Sequence, residues 1–157
     1  MSESGCPGFK DLQDYMGRGL MKFKRNQKGI NDLKAKFRDA FGATMGVLDI
    51  EYDDVIESDT AFADLGFIGQ DIVDTQRFLK SKTLITGQDF AKWEWNPKSP
   101  LNGYPYAAAL YTGFYAFGKY PVAGRPWTDR AIERVNIPEW MAHELRKMGI
   151  KARSESL

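Results

Sequence analysis

The chain has 157 residues, 43% hydrophobic and 13% aromatic, enough for one domain with a real core, which excludes global disorder. Lys and Arg number 22 against 21 Asp and Glu, and the formal net charge of +1 argues against a dedicated nucleic-acid coat or a membrane-surface binder. The single cysteine, Cys6, excludes an intramolecular disulfide and a Cys-rich zinc site, and reads as incidental. No stretch approaches the ~18 apolar residues of a spanning helix. The N-terminus, MSESGCPGFKD, lacks the basic-then-apolar order of a signal peptide. The expectation is a soluble, cytoplasmically made protein.

Residues 1–8 read as a flexible leader. Residues 9–28 mix aromatic, basic and glycine positions with weak periodicity, and hold the one clear charge run: Arg18, Lys22, Lys24, Arg25 and Lys28, with no acid between Asp14 and Asp32. From Ile30 the spacing turns helical. Ile30, Leu33, Phe37 and Phe41 fall three to four apart, with Lys34, Lys36, Arg38 and Asp39 on the other side. Gly42 and Gly46 weaken the end of this helix. Residues 47–57 read as a second helix or a strand. Helix is favoured, because Val47, Asp49, Glu51 and Asp53 share a parity that spoils a half-buried strand. Residues 58–75, broken by Gly66 and Gly69, read as an irregular, exposed connection.

Strand character begins at KTLIT (82–86) and DFAKWEW (89–95), which flank Gly87-Gln88. Gly at the first central position suits a two-residue type II′ turn, a register in which Ile85 faces Phe90 and Leu84 faces Ala91. Ala91, Trp93 and Trp95 then share one face, and Phe90, Lys92 and Glu94 the other. Residues 96–103 carry two prolines and Asn102-Gly103 and form a loop. PYAAALYTGFYAFG (105–118) reads as a short helix or strand leading into a bend. Residues 121–126 read as an extended connection. Thr128 or Asp129 then caps a helix through about Val135. A last helix starts near Pro138, with Met141, Leu145 and Met148 as its apolar stripe and Gly149 as its stop. Residues 151–157 read as a polar tail, so residues 9–150 form a single domain.

Chemistry-bearing patterns are scarce. His143 is the only histidine and has no second histidine four residues on, so the zinc-protease helix pattern is missing. It reads as an exposed helix residue. No Gly-x-Ser-x-Gly elbow, Walker or dinucleotide glycine pattern occurs. Asp49, Glu51, Asp53 and Asp54, followed by Glu57 and Asp59, read as a solvated face or one that docks a basic neighbour. The 18–28 basic run reads as a solvated or protein-docking face ahead of a DNA contact. The sharper signal is aromatic density: Trp93, Trp95, Tyr104, Tyr106, Tyr111, Phe114, Tyr115, Phe117, Tyr120 and Trp127. Tyr and Trp anchor interfaces because they bury large areas yet keep a polar end. Both a core and a surplus at subunit contacts are expected.

Three segments, in this order, carry a resemblance. DTQRFLKS (74–81) is similar to an Asp-Thr-Gly-Arg-Leu-x-x-Ser element that precedes a strand, with Gln76 where glycine is usual. PYAAALYTG (105–113) is similar to a Tyr-Ala element that ends in a Gly turn, although Thr112 takes its acidic or aromatic position. GRPWTDRAI (124–132) is similar to a small-Arg-Pro-aromatic closing element. Together, over about residues 70–135, the chain resembles the tailed-bacteriophage neck or tail-completion (head–tail joining, minor tail component) proteins. Residues 1–29 and 136–157 lie outside the likeness. By itself, the third segment plants Arg125 and Trp127 side by side at the mouth of a helix, because Pro126 fixes its own backbone and holds Arg125 extended.

The fold expected is α+β: a long N-terminal helix packed on a small twisted antiparallel sheet (hairpin about 82–95), with one or two short C-terminal helices. The resemblance implies a virion protein at the head–tail interface, not an enzyme. It implies a ring around the DNA channel, six copies favoured and twelve the alternative, that joins the head connector or adaptor to tail tube or terminator proteins. A tail-terminator role is the near alternative. No catalytic residue, cofactor or metal is expected. Interface candidates are Trp93, Trp95, Tyr106, Tyr111, Phe114, Tyr115, Phe117, Arg125 and Trp127. Charged docking candidates are Arg18, Lys22, Lys24, Arg25, Lys28, Asp49, Glu51, Asp53 and Asp54, with acidic and basic segments pairing between neighbours. From other classes, a DNA-binding accessory protein would use residues 18–28, and a small hydrolase would use His143.

Overall fold

The computed structural model describes residues 9–72 and 75–154, with side chains from Asn26 onward. The leader 1–8 with Cys6, Asp74 of the first resembling segment, and residues 155–157 lie outside the described residues. The fold is α+β. A helix Phe9–Glu57 (α1) is followed by Thr75–Lys80 (α2), the hairpin Lys82–Thr86 and Ala91–Trp95 (β1, β2), and Ala107–Thr112 (α3). The hairpin Gly113–Ala116 and Tyr120–Ala123 (β3, β4) comes next, and Trp127–Arg134 (α4) and Ile137–Lys147 (α5) close the chain. There are two separate two-stranded antiparallel sheets, β1–β2 and β3–β4. Among the described residues no helix is long and apolar enough to cross a membrane.

The chain divides into two compact units, Met1–Asp39 and Ala40–Leu157. In the first, the described residues 26–39 are all exposed, including Ile30, Leu33 and Phe37. In the second, α1 buries Ala40, Thr44, Leu48, Tyr52, Val55 and Ile56. That spacing is one face of a 3.6-residue helix. It makes residues 47–57 helical and carries the helix through Gly42 and Gly46 without a break: burial outweighs the propensity cost of the two glycines. Thr44 enters this face because its hydroxyl donates to the Ala40 carbonyl at 2.8 Å and leaves no orphan group inside.

The 58–75 connection is not simply exposed. Ala61, Phe62 and Ile72 are fully buried, and the Ile72 N–H reaches back to the Ile56 carbonyl (3.4 Å). The Ser58 hydroxyl accepts from the Thr60 and Ala61 N–H groups, which turns the chain straight after α1.

The first hairpin keeps the expected faces. Ala91, Trp93 and Trp95 are half-buried, and Lys92 and Glu94 are exposed. Its register differs: Thr86 pairs with Ala91 and Leu84 with Trp93. The Gly87 N–H donates to the Phe90 carbonyl at 2.8 Å, so Gln88 and Asp89 form the tip. Phe90 folds over Gly87, where a Cβ would sit 2.1 Å from the ring. Glycine is there to admit that ring.

The second hairpin runs through residues read as a bend and a connection. Tyr115 pairs with Pro121 and Ala116 with Tyr120. With only one partner strand, β4 is an edge, where a proline is tolerated. The tip residues Phe117 and Gly118 both have positive φ (54° and 70°), the backbone pattern of a type I′ turn.

The helix after Pro126 starts at Trp127 with no side-chain cap, because Thr128 instead donates its hydroxyl to the Tyr111 hydroxyl (3.0 Å). At α5, the Asn136 side chain accepts from the Glu139 N–H, and Ala142 and Leu145 are buried between half-buried Met141 and Met148. Residues 151–154 do not trail free. Arg146 donates to the Ala152 carbonyl (3.1 Å), and the Ser154 hydroxyl to Glu139. The hydrogen bond from Ser154, then that from Arg146, hold the Glu139 carboxyl below its ordinary pKa.

Candidate interaction surface

The aromatic residues of 93–127 separate into two populations. The first is a core cluster. Tyr52 of α1 meets Trp93 and Trp95 edge-on at 5.1 and 5.2 Å between ring centroids. Trp127 then meets Trp95, Phe78 and Tyr111 edge-on, at 5.8, 4.8 and 5.1 Å. These are the separations that aromatic quadrupoles favour. Burial raises the Tyr52 hydroxyl above its ordinary pKa, and the nearby charge of Asp129 adds to the shift.

Trp127 is only 4% exposed and Arg125 3%, so neither is a surface anchor. Trp93, Trp95, Tyr106 and Tyr111 likewise pack on the core. Delivered by Pro126, the pair points inward. The Arg125 guanidinium lies 4.4 Å from the centre of the Phe67 ring and donates to the Asp71 carbonyl at 2.9 Å, not to a carboxylate. Burial lowers its pKa and the Asp71 charge opposes this, but a guanidinium stays charged at neutral pH.

The acidic candidates are spent largely within the chain. Asp49 accepts from the Lys82 ammonium (2.9 Å) and the Trp93 indole N–H (2.8 Å). Asp53 accepts from the same ammonium with both oxygens, at 2.7 and 2.8 Å. Burial pushes the Lys82 pKa down, but the hydrogen bonds it donates to the two carboxylates, with their charges, outweigh it, and the net shift is upward. Glu51 faces Arg134 at 3.5 Å. These pairs dock β1 and α4 onto α1, so Asp49, Glu51 and Asp53 do not form a free acidic face, while Asp54 remains exposed. Among the basic candidates, Lys28 is exposed. The side chains of Arg18, Lys22, Lys24 and Arg25 lie outside the described residues.

The second aromatic population is on the surface. Phe117 at the β3–β4 tip is 93% exposed, Tyr115 69% and Tyr120 66%, and Phe114 and Tyr104 are also exposed. Phe117 holds a left-handed backbone that costs a non-glycine residue about 1 kcal/mol. At the base of the same hairpin is an open groove of about 520 Å³. It is lined by Tyr104, Tyr106, Leu110, Phe114 and Pro100, with Arg77 and Ser99 as its main polar groups. Patterning gave no warning of the groove, because loop 98–105 contributes to it through a fold-back in which Lys98 bridges Pro105. His143 is exposed, edge-on to Trp140 at 5.9 Å, apart from the groove lining.

No protein-family model, curated protein or solved structure matches this chain.

Proposed function

We propose that the chain is a structural virion protein of a tailed bacteriophage. It forms a ring at the head–tail junction, around the DNA channel, and joins the head connector to the tail. Six copies are favoured and twelve are the alternative. The observation that carries the reading is the surplus of aromatic surface at the β3–β4 hairpin and its groove, beyond what the core uses. Contiguous apolar surface of this kind marks an interaction site. The exposed Ile30, Leu33 and Phe37 on α1 supply a second such surface for the neighbouring connector or tail protein.

The three segments behind the resemblance also meet in one place. Phe78 follows from the first, Tyr106 from the second and Trp127 from the third, and their rings touch (Phe78–Trp127 4.8 Å, Phe78–Tyr106 6.5 Å). A tail terminator would use the same kind of ring on the tail tube, and the basic run 18–28 would give nonspecific contact with channel DNA in either role. The reading assigns binding, not catalysis. Native mass spectrometry and negative-stain electron microscopy of the purified chain test it. Closed rings of six or twelve with a central channel are expected, and a monomer at every concentration would end the proposal.

A further inference from the structure

We infer that the N-terminal part of α1, residues 9–39, is one strand of a coiled coil whose other strand is an acidic helix of a different protein. The inference deepens the ring reading, in which this surface meets a connector or tail protein, and rests on it only for where that partner is found. Phe9–Glu57 is one helix, so the register set at Ile30 carries back to its start. Phe9, Met16, Phe23, Ile30 and Phe37 recur every seven residues, and Leu12 and Leu33 stand three residues after two of them. An apolar repeat of 3.5 residues held over four heptads is the pattern of a helix that winds about another helix. The rest of α1 is patterned differently. Its buried positions Ala40, Thr44, Leu48, Tyr52 and Ile56 fall every four residues, a row that packs within the second unit. The change of repeat falls where the chain divides into its two compact units, between Asp39 and Ala40.

Residues 26–39 are all exposed, with Ile30, Leu33 and Phe37 of the seam among them. A helix that contains Gly17, Gly19 and Gly29 and buries no face among its described residues gains little in water by itself, so its stability calls for a packed neighbour. A seam this narrow suits a helix, whereas a lipid surface takes a wider apolar face. Charge then selects the partner. The positions that flank the seam hold Lys22, Lys34 and Lys36 and no acid, and residues 9–39 carry nine Lys and Arg against four Asp. Two copies in parallel would set Lys22 by Gln27, Gly29 by Lys34 and Lys36 by Phe41, with no opposite charges opposed. Flanking charges set partner choice in coiled coils, so the complement carries Glu or Asp at those positions.

The test uses the full chain and two labelled synthetic peptides of five heptads, with Ile and Leu along the seam and either Glu or Lys at every flanking position. In fluorescence anisotropy the Glu peptide is expected to bind at least tenfold tighter than the Lys peptide. Ile30→Asp with Leu33→Asp should weaken that binding at least tenfold. Asn31→Asp with Ala35→Asp, the same charge off the seam, should weaken it less than threefold. Lys22→Glu with Lys34→Glu should turn the preference toward the Lys peptide. Failure to bind the Glu peptide, equal binding of both peptides, or binding that survives Ile30→Asp with Leu33→Asp would overturn the inference. So would retention only on phosphatidylglycerol vesicles or on duplex DNA, or self-association that Ile30→Asp with Leu33→Asp abolishes, which would give the seam to a second copy. Rings in electron micrographs of a chain that ignores the Glu peptide overturn this inference and leave the ring reading standing. A monomer that binds the Glu peptide with the expected pattern supports the inference and ends the ring reading.

Discussion

Three residues carry more than their sequence neighbourhood suggests. The Lys82 ammonium binds both Asp49 and Asp53, so one side chain ties β1 to α1. Lys82→Met leaves two carboxylates facing each other without a cation. The expected cost is about 1–2 kcal/mol, discounted for partial exposure, or roughly 3–6 °C in Tm by circular dichroism. Because the folded pKa is raised, the bridge contributes fully below the unfolded lysine value near ~10.4 and fades as pH rises through the folded value. The Tm gap between wild type and Lys82→Met should therefore hold from about pH 6 to about pH 9 and narrow above about pH 10.5. Arg125 offers a different contrast. Arg125→Ala removes the packing on Phe67 and orphans the Asp71 carbonyl, an expected loss of about 2–4 kcal/mol in urea melts. Arg125→Met restores the volume and removes a charge that burial disfavours, and should lose about half as much, about 1–2 kcal/mol. Phe117→Asn should move the other way and raise Tm by roughly 2–4 °C, since Asn tolerates the left-handed turn.

At the scale of elements, the β3–β4 hairpin depends on glycine at its base. A Cβ on Gly124 would lie 2.3 Å from the Tyr111 carbonyl oxygen and 2.7 Å from the Thr112 carbonyl carbon. Both are backbone atoms that cannot swing aside. Gly124→Ala should cost about 2–3 kcal/mol or more and broaden the thermal transition, checked by calorimetry. This explains why the segment before Arg125 must begin with a small residue: α3 and the end of β4 touch there. Elements with a strong local pattern were legible in the sequence: the helical run from Ile30, the two faces of the 82–95 hairpin, and α5 with Pro138 in its first turn and its Gly149 stop, whereas the Asn136 cap was not read. Three features were not. The hairpin register depends on the Phe90 ring lying over Gly87, a contact without a periodic signature. The second hairpin has strands of four residues with a proline in one, too short for alternation to register. The aromatic cluster was visible as density, but which rings turn inward follows from α1 presenting Tyr52 to Trp93 and Trp95, a long-range contact. Arg125 and Trp127 were correctly paired in sequence, yet their destination is the core, because Asp71 and Phe67 wait there.

For the whole molecule, the proposed assembly has two candidate driving forces, charge pairing and apolar contact, and salt separates them. Pairing of acidic 49–59 with basic 18–28 between copies would weaken with salt, and much of that acidic set is already engaged by Lys82 and Arg134. Association through the apolar surface of the β3–β4 hairpin should instead hold between ~0.1 M and ~1 M salt, as the screening length falls from ~10 Å to ~3 Å. Sedimentation at both ionic strengths separates the two, and dissociation at high salt would favour charge pairing. Under the proposed reading, deleting the gene from a phage that carries it should leave DNA-filled heads and finished tails unjoined in the lysate, whereas normal infectious particles would remove that reading. The four indoles add an optical consequence. Trp93, Trp95 and Trp127 share the core cluster, Trp140 stands exposed on α5, and the β3–β4 hairpin contains none. With Trp140→Phe, all remaining indole emission originates in the core. Denaturation should then shift that emission to the red as one transition, while the proposed association through the β3–β4 hairpin should leave it unchanged. The same cuvette thus distinguishes a chain that has come apart inside from one that has merely parted from its neighbours.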